Sequence, residues 1–418
     1  MVNVDISNVW TCVSLPELLE QEREIFDAHV RMTEAEREGD GFMGWLRMPA
    51  SAGERLASGI AQAARKICDQ SDILLICGCG GAFHGTKAAI EAYCGAEYNL
   101  TRQPKILFVG QTLSTAQWKK LSRILRDQDY SLLLISPDGS ALAPNVATRG
   151  LRWMMERRYG AEAKNRIYVA TLVGTSMHTM AQEEGYELFP MPKQPGGFMS
   201  TLTSAAFLPM AVAGIDPQAV LEGAAESDRN LNIRSFENPA WLYSAARHLL
   251  MKKGRTVELL CVADEDLLAV GHWWQRTLWR QGAAIAAQAA LLPGDLEAFD
   301  RMAAGSKMFE TMLHFEKSAT KVPVEMDWKD YDGLGFLSGK TVDQVESSLL
   351  QAVVQTHNDA GVPVFDVDAG ELTAENLGAM LHFFELSAAL CALMDQKDPF
   401  NAAAPAARQM ALADLGGC

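Results

Sequence analysis

The chain has 418 residues, of which 48% are hydrophobic and 21% charged, and its formal net charge is −15. This length exceeds what one hydrophobic core usually holds, so two domains are expected. The acidic charge, without any run of Lys and Arg, argues against nucleic acid as a partner. No apolar run of about 20 residues and no export signal is found, so we expect a cytoplasmic protein without membrane association.

The first part of the chain predicts a helical arm followed by an α/β domain. Residues 1–44 are rich in Glu and Arg at helical spacing, which predicts an N-terminal helical arm. Four short apolar runs follow, separated by amphipathic stretches, at 72–77, 105–109, 131–135 and 166–171. This alternation is typical of β-α-β units in a parallel sheet and predicts a first domain over residues 45–215.

A second series of strands and helices predicts a second α/β domain over residues 216–400. Its apolar runs lie between helical patterns at 256–263, 308–315 and 362–367. Thr373 is suited to cap the N-terminus of a long apolar helix that we assign to the core. The Ala-rich residues 401–418 predict a C-terminal helical tail, and the absence of a linker between the halves predicts domains that pack together.

The cysteines and histidines do not predict a metal centre or a cofactor. Eight cysteines are scattered along the chain without CxxC pairs or histidine partners at the spacing of zinc ligands. We therefore expect reduced thiols, no metal and no cofactor.

A glycine cluster at residues 78–81 joins the first predicted strand to a helix. Backbone N–H groups and the helix dipole converge at such a junction, and residues without a Cβ let an anion approach closely. Gly80 and Gly81 are therefore candidates for phosphate binding. A dinucleotide site is one alternative, although Phe83 stands where that motif has its third glycine. A tight turn without a ligand is the other.

A second turn follows the strand predicted at 131–135. It carries small and hydroxyl residues before Pro144, which suits the first turn of a helix. Two such turns at one edge of a parallel sheet predict a pocket for a small phosphorylated molecule. The residues predicted to bind its phosphate are Gly80, Gly81, Ser136, Gly139 and Ser140.

Several ordered blocks resemble the glucose-6-phosphate isomerase family, which is built from two sugar-isomerase (SIS) domains. The blocks cover about 70–400 and read GCGGAFHGTKAA, PGGFMSTLTSAAFLPMAVAGID, NPAWLYSAARHLLMKKGRTVELL, HWWQRTL, FETMLHFEK, THNDAGVPVFDVDAGELTAENLGAMLHFFELSAAL and DPF. The resemblance implies two tandem SIS-type domains, each a mainly parallel sheet flanked by helices. It also implies a site between the domains, a cytoplasmic homodimer, and a place in the carbohydrate metabolism of glycolysis and gluconeogenesis.

The chain departs from the family where the resemblance implies catalysis. The arginine of the family's GGRxS block is Phe198, and Arg280 stands nearest the place of the proton-carrying glutamate. A guanidinium cannot accept that proton. Glu297 replaces the histidine of the ring-opening motif, and Arg408 is the only basic residue where a C-terminal lysine is expected.

Two histidines and three tryptophans also suit a sugar site. His84 and His357 are candidates for acid or base catalysis, although a histidine at such a position more often has a structural role. Trp273, Trp274 and Trp279 suit either stacking on a sugar ring or packing in the core.

These replacements predict a pseudoenzyme of the family, which binds a sugar phosphate or a related small anion without the ordinary isomerase reaction. Such a protein would act, for instance, as a sensor or as a regulatory partner. The alternative is an active aldose–ketose isomerase with a rebuilt site. Its candidate catalytic residues are Arg280, Glu297, His357 and Arg408. A scaffold with a vestigial pocket is a third hypothesis.

Overall fold

The structure, a computed structural model, describes residues 2–37, 54–136, 139, 141–191, 200–231, 233–296, 307–316, 320–398 and 406–416. In chain order the strands are β1 (Asn3–Asn8), β2 (Ile73–Gly78), β3 (Lys105–Val109), β4 (Tyr130–Ile135), β5 (Ile167–Leu172), β6 (Glu187–Met191), β7 (Val257–Val262), β8 (Ala286–Leu291), β9 (Met308–His314) and β10 (Val364–Asp368). The helices are α1 (Leu15–Glu20), α2 (Glu22–Arg37), α3 (Glu54–Gln70), α4 (Gly81–Cys94), α5 (Tyr98–Thr101), α6 (Thr115–Ile124), α7 (Leu142–Tyr159), α8 (Ser176–Glu184), α9 (Ser204–Val212), α10 (Pro217–Leu231), α11 (Pro239–Lys252), α12 (Leu268–Gln281), α13 (Val342–Asp359), α14 (Ala374–Met394) and α15 (Ala406–Asp414).

The strands form two five-stranded sheets. The first has the order β3-β2-β4-β5-β6 and all its pairs are parallel. The second has the order β1-β10-β9-β7-β8, and its pairs are parallel except for β1, which runs antiparallel to β10. Helices flank both sheets, so the predicted α/β fold with two mainly parallel sheets is confirmed. The division into domains at residue 215 stays a prediction.

Three of the strands, β1, β6 and β8, were not predicted from the sequence. β1 lies within the segment predicted as a helical arm; α1 and α2 follow it, and residues 38–44 lie outside the described residues. The prediction of an entirely helical arm is therefore wrong for β1, which joins the second sheet. β6 contains a proline, and β8 reads AAQAAL, whose residues have little strand preference.

The two sheets share one hydrophobic core. In β2, Leu74 and Ile76 point to the layer of helices between the sheets, whereas Leu75 points to the outer helices α7 and α8. In β7, Leu260 likewise joins the central layer, whereas Leu259 faces the outer helix α13. Because one core cluster holds side chains from both halves of the chain, the halves pack together as expected.

Helix α14 is the central element of this shared core. The Thr373 side chain accepts a hydrogen bond from the backbone N–H of Asn376, which confirms the predicted N-cap. Among the described residues, α14 is the helix long and apolar enough to cross a membrane, and its apolar window is completely buried inside the protein. Its apolar composition is accounted for by this burial.

Close backbone contact joins α14 to α10. A Cβ added to Gly378 would lie 1.9 Å from the backbone oxygen of Val220, and one added to Gly223 would lie 1.7 Å from that of Glu375. Neither position has room for a side chain. The two glycines therefore let the helices approach more closely than any other residue would allow.

A buried ion pair lies between α11 and the second sheet. Arg247 pairs with Glu258 of β7, and both side chains are buried. The Glu258 carboxylate also accepts hydrogen bonds from Tyr243 at 2.6 Å, Thr311 at 2.7 Å and Trp274 at 3.0 Å. Each carboxylate oxygen thus has two donors, which offsets the cost of burying the charge.

Candidate functional site

The carboxyl ends of β2 and β4 lie side by side, which brings the two predicted turns together. Gly78 of β2 is in register with Ile135 of β4. A Cβ on Gly78 would lie 2.6 Å from the Ile135 backbone oxygen, so this closeness requires glycine. Ser136 follows Ile135 directly and Gly80 lies two residues after Gly78, at the same edge of the sheet.

The N-cap residue of α4 is a glycine, so it offers no side chain to cap the helix. Gly80 has a positive φ of 87°, and Gly81 begins the helix. In the first turn, the backbone N–H of Ala82 donates to Ser200 Oγ at 2.9 Å. The other N–H groups of a helix N-terminus direct partial positive charge outward, so they can hold an anion.

Ser136 presents a buried hydroxyl at this edge. Its side chain is 5% exposed, and Oγ has no hydrogen-bond partner in the described part of the chain. The carbonyl oxygen of Ser136 is already engaged, because Thr171 Oγ1 donates to it at 2.7 Å. Leaving a buried hydroxyl unpaired costs about 1–3 kcal/mol. A ligand oxygen at the edge would give this hydroxyl a partner.

The second turn, which follows β4, lies only partly within the described residues. Gly139 has a positive φ of 71°, and Asn145 Nδ2 donates to its carbonyl oxygen at 2.5 Å, which ties the turn to α7. Ser140 and Asp138 lie outside the described residues. The structure therefore brings together Gly80, Gly81 and Ser136, while the role predicted for Ser140 is not tested.

Thr201 and Glu385, which are distant from the glycine turn in the chain, support this turn. Thr201 Oγ1 donates to the backbone oxygen of Gly81 at 3.5 Å, and the Thr201 backbone N–H donates to Glu385 Oε1 at 3.1 Å. A Cβ on Gly85 would lie 2.2 Å from Thr201 Oγ1, so α4 packs directly on this residue. Burial raises the pKa of Glu385 to about 8. Glu385 therefore holds the turn from behind as a mostly neutral carboxyl group at neutral pH.

The predicted catalytic residues lie in different parts of the chain. Arg280 occupies the last turn of α12 with an exposed side chain. His357 is buried on α13, where its Nδ1 lies 2.8 Å from Glu310 Oε1 of β9. Arg408 is on α15, and Glu297 lies outside the described residues, as does Phe198. The buried contact of His357 with the second sheet favours a structural role for this side chain.

The aromatic candidates divide between core and surface. Trp273 and Trp274 are completely buried, and Trp274 donates to Glu258, so these two pack in the core. Trp279 is exposed. His84 lies at the N-terminal end of α4, where its Nε2 is 2.9 Å from Gln111 Nε2. Burial, together with the charges of the nearby Arg276 and Lys87, lowers the pKa of His84 to about 4.

No cluster of three or more His, Cys, Asp or Glu side chains suited to a metal ion occurs among the described residues. The seven described cysteines are free thiols. Burial raises the pKa of Cys77 to about 12, so this thiol beside the glycine turn stays protonated.

The fold and the glycine turn define a class of protein, the SIS-type α/β proteins. The structure superposes on a hypothetical protein of Thermus thermophilus with a TM-score of 0.85 and 19% identity, covering 100% of this chain and 99% of that one. A glucose-6-phosphate isomerase structure from Chlamydia trachomatis gives a TM-score of 0.66 and 16% identity over 87% of this chain and 71% of that one. These likenesses establish the fold.

The sequence establishes the family. No family model matches the chain. A glucose-6-phosphate isomerase of Bacillus cytotoxicus is 32% identical over 414 residues, which cover 96% of this chain and 92% of that protein. The chain therefore belongs to the glucose-6-phosphate isomerase family, as the sequence blocks predicted.

Proposed function

We propose that this protein is a cytoplasmic sugar-phosphate-binding member of the family that does not carry out the ordinary isomerase reaction. The phosphate is held at the edge formed by Gly80, Gly81 and Ser136. The observation that carries the binding proposal is the buried hydroxyl of Ser136, without a partner in the described chain, beside the glycine turn that opens α4. Relatives named glucose-6-phosphate isomerase support glucose 6-phosphate and fructose 6-phosphate as the ligands to test.

The chemistry of Arg280 and the burial of Glu385 support the absence of isomerisation. Moving a proton between two sugar carbons requires a base that reaches the sugar. Arg280 has no acceptor lone pair, and Glu385, the carboxyl group behind the turn, is completely buried and already bound to Thr201. Loss of a general base usually lowers the rate by about 10²- to 10⁴-fold.

An active isomerase with a rebuilt site is the second candidate. It is favoured by the family membership over nearly the whole chain. In it, Arg280 stabilises the enediolate, Glu297 serves as base and Arg408 replaces the C-terminal lysine. Such an enzyme loses turnover in Glu297→Gln and in Arg280→Ala.

Two measurements on the purified chain separate these functions. Calorimetric titration with fructose 6-phosphate or 6-phosphogluconate should give saturable heat, and a hundredfold excess over Kd should stabilise the fold by about 2.7 kcal/mol. A coupled assay should detect no conversion of fructose 6-phosphate to glucose 6-phosphate above a blank. Turnover sensitive to Glu297→Gln would establish the rebuilt enzyme. Neither heat nor turnover would establish the scaffold.

We also propose that the protein is a homodimer. The family resemblance implies one, and an exposed apolar segment at residues 322–342 supports it. In this segment Trp328 is 89% and Tyr331 83% exposed, and Phe336 is also exposed. Apolar surface of this kind usually marks an interface between proteins. Light scattering should give twice the chain mass, and Trp328→Asp with Phe336→Asp should give the mass of one chain.

A further inference from the structure

A cavity of about 730 Å³ lies along the free edge of the first sheet, between α4, β3, α6 and α12. Small-molecule sites usually measure about 300–1,000 Å³, so the cavity has room for a small ligand. β3 is the outermost strand on this side of the sheet. The cavity lies beside the glycine turn, and none of Gly80, Gly81 and Ser136 lines it.

Basic side chains from two helices converge on one end of the cavity. α4 contributes His84 and Lys87, and α12 contributes His272 and Arg276, which are one helical turn apart. Lys87 also forms an ion pair with Glu91 at 3.4 Å. The helices belong to different halves of the chain, so this cluster exists only in the folded protein.

The pKa values of His84 and His272 reflect how close Lys87 and Arg276 lie to both rings. Burial lowers the pKa of His272, and the charges of Arg276 and Lys87 lower it further, as they do for His84. With a pKa of about 4, the His84 ring beside Gln111 is neutral at neutral pH. The cluster thus holds the cations Lys87 and Arg276, the Glu91 carboxylate that pairs with Lys87, and two imidazoles that can each take up a proton when an anion arrives.

The rest of the cavity wall has an apolar part and a polar part. β3 contributes Phe108, and α6 contributes Trp118, Leu121 and Ile124 to the apolar part, whereas Glu91, Gln117 and Lys120 are polar. The apolar part of the wall suits a ligand that has an apolar body as well as a negative charge.

The edge of β3 favours a compact ligand over an added peptide strand. The Asn99 side chain forms hydrogen bonds with the outward-facing backbone groups of Ile106. Its Nδ2 donates to the Ile106 oxygen at 3.0 Å, and its Oδ1 accepts from the Ile106 N–H at 2.7 Å. A continuous extra strand is therefore blocked. Because alternate residues of a parallel strand face the same side, the backbone N–H and C=O of Phe108 also face outward, toward the cavity.

We propose that this cavity binds a small organic anion, a phosphate or carboxylate on an aromatic body, with the anion held by Lys87 and Arg276 and the ring packed between Phe108 and Trp118. The site is separate from the sugar-phosphate edge at Ser136, and it goes beyond the proposed function.

Calorimetric titration with 2-naphthyl phosphate tests this site. Naphthyl phosphate should bind at least about tenfold more tightly than either inorganic phosphate or 2-naphthol, because each of these lacks one half of the recognised ligand. Arg276→Gln and Lys87→Gln should each weaken naphthyl phosphate binding by about tenfold. The Lys87 side chain is 44% exposed, so its substitution should leave the fold intact, which circular dichroism checks.

Matched controls distinguish this site from the sugar site. Lys119→Gln removes an exposed charge of α6 outside the cavity lining and should leave the affinity for naphthyl phosphate unchanged. Ser136→Ala should leave it unchanged as well, and fructose 6-phosphate should not displace the ligand. Displacement by fructose 6-phosphate, equal loss in Lys119→Gln, or no binding of naphthyl phosphate would each overturn the proposal. Binding of naphthyl phosphate without any binding of fructose 6-phosphate would overturn the proposed function alone.

Discussion

Glu385 on α14 accepts a hydrogen bond from the backbone N–H of Thr201 at 3.1 Å, although the two residues are 184 positions apart in the chain. Thr201 in turn contacts Gly81 through its hydroxyl group. One buried carboxyl group therefore connects the central helix of the protein to the turn that opens the candidate site.

The first prediction concerns the pH dependence of stability. Burial raises the pKa of Glu385 from 4.5 to about 8, so between these values the native state keeps a proton that the unfolded chain releases. The stabilising contribution is complete below about pH 4.5 and is lost as the pH rises through 8. Glu385→Gln, which is neutral at every pH, should remove a slope of up to about 1.4 kcal/mol per pH unit.

Urea unfolding from pH 5 to pH 9 measures this difference. Groups other than Glu385 titrate in both proteins and cancel in the comparison. Glu375→Gln replaces an exposed glutamate of the same helix and should keep the wild-type slope. Parallel curves for wild type and Glu385→Gln would contradict the assignment.

The second prediction concerns the Ser136 hydroxyl. Ser136→Ala removes the buried donor at the sheet edge and should weaken fructose 6-phosphate binding by about tenfold, the usual effect of one hydrogen bond to a charged group. The melting temperature without ligand should not fall, because the hydroxyl has no partner in the described chain. Ser348→Ala, an exposed serine of α13, is the control. Equal affinities in wild type and Ser136→Ala would remove Ser136 from the site.

The third prediction concerns the contact between α10 and α14. Gly378→Ala places a Cβ 1.9 Å from the Val220 oxygen, so the helices must move apart and the core loses contacts. Overpacking of this kind usually costs about 1–3 kcal/mol, and a backbone obstacle places the expected loss at the upper end. Chemical denaturation measures the free energy of unfolding.

Gly59→Ala is the matched control for that substitution. Gly59 also lies in a helix, but a Cβ there would meet no atom of the described residues within 4 Å. The intrinsic preference of alanine for helices should then stabilise the protein by up to about 1 kcal/mol. If Gly378→Ala were as stable as Gly59→Ala, the close approach of the helices would be refuted.

The fourth prediction concerns the buried Arg247–Glu258 pair. Glu258→Gln leaves the Arg247 guanidinium without its counter-charge in the core. It also replaces one acceptor oxygen with an amide NH₂ group, a donor that then faces the donor of Tyr243 or Trp274. Breaking a buried pair in this way usually costs about 3–5 kcal/mol. Glu265→Gln, at an exposed position nearby, should stay within about 0.5 kcal/mol of wild type. Thermal unfolding of both variants provides the comparison.

The fold was predictable where local pattern and packing agree. β2 is a continuous apolar run, and β4 and β7 are apolar except for Ser131 and Glu258, because helices cover both faces of each sheet; such runs are visible in the sequence. β8 reads AAQAAL, and this segment is a strand because it pairs with β7. No local preference predicts that pairing, because it depends on a neighbour that the sequence does not identify.

The part of the candidate site that the two turns form was predictable from the sequence. Glycines after an apolar strand indicate an anion site by local chemistry alone, and Gly80 and Ser136 meet because parallel strands end at a common edge. Glu385 was not predicted, because its partner Thr201 is distant in the chain and a glutamate in an apolar helix gives no signal of its contact. His84 and Arg276 were likewise brought together by helix packing.

The pairing of β1 with β10 has a consequence for how the protein is made. β1 is synthesised before the other strands of its sheet, and the strand it pairs with follows roughly 350 residues later. At synthesis rates of about 5–20 residues per second, the nascent chain waits about 20–70 s before this edge of the second sheet can close. During that interval β1 has no strand to pair with, although α11, which also packs against β1, has already been made. The edge of the second sheet therefore closes only after β10 has been synthesised.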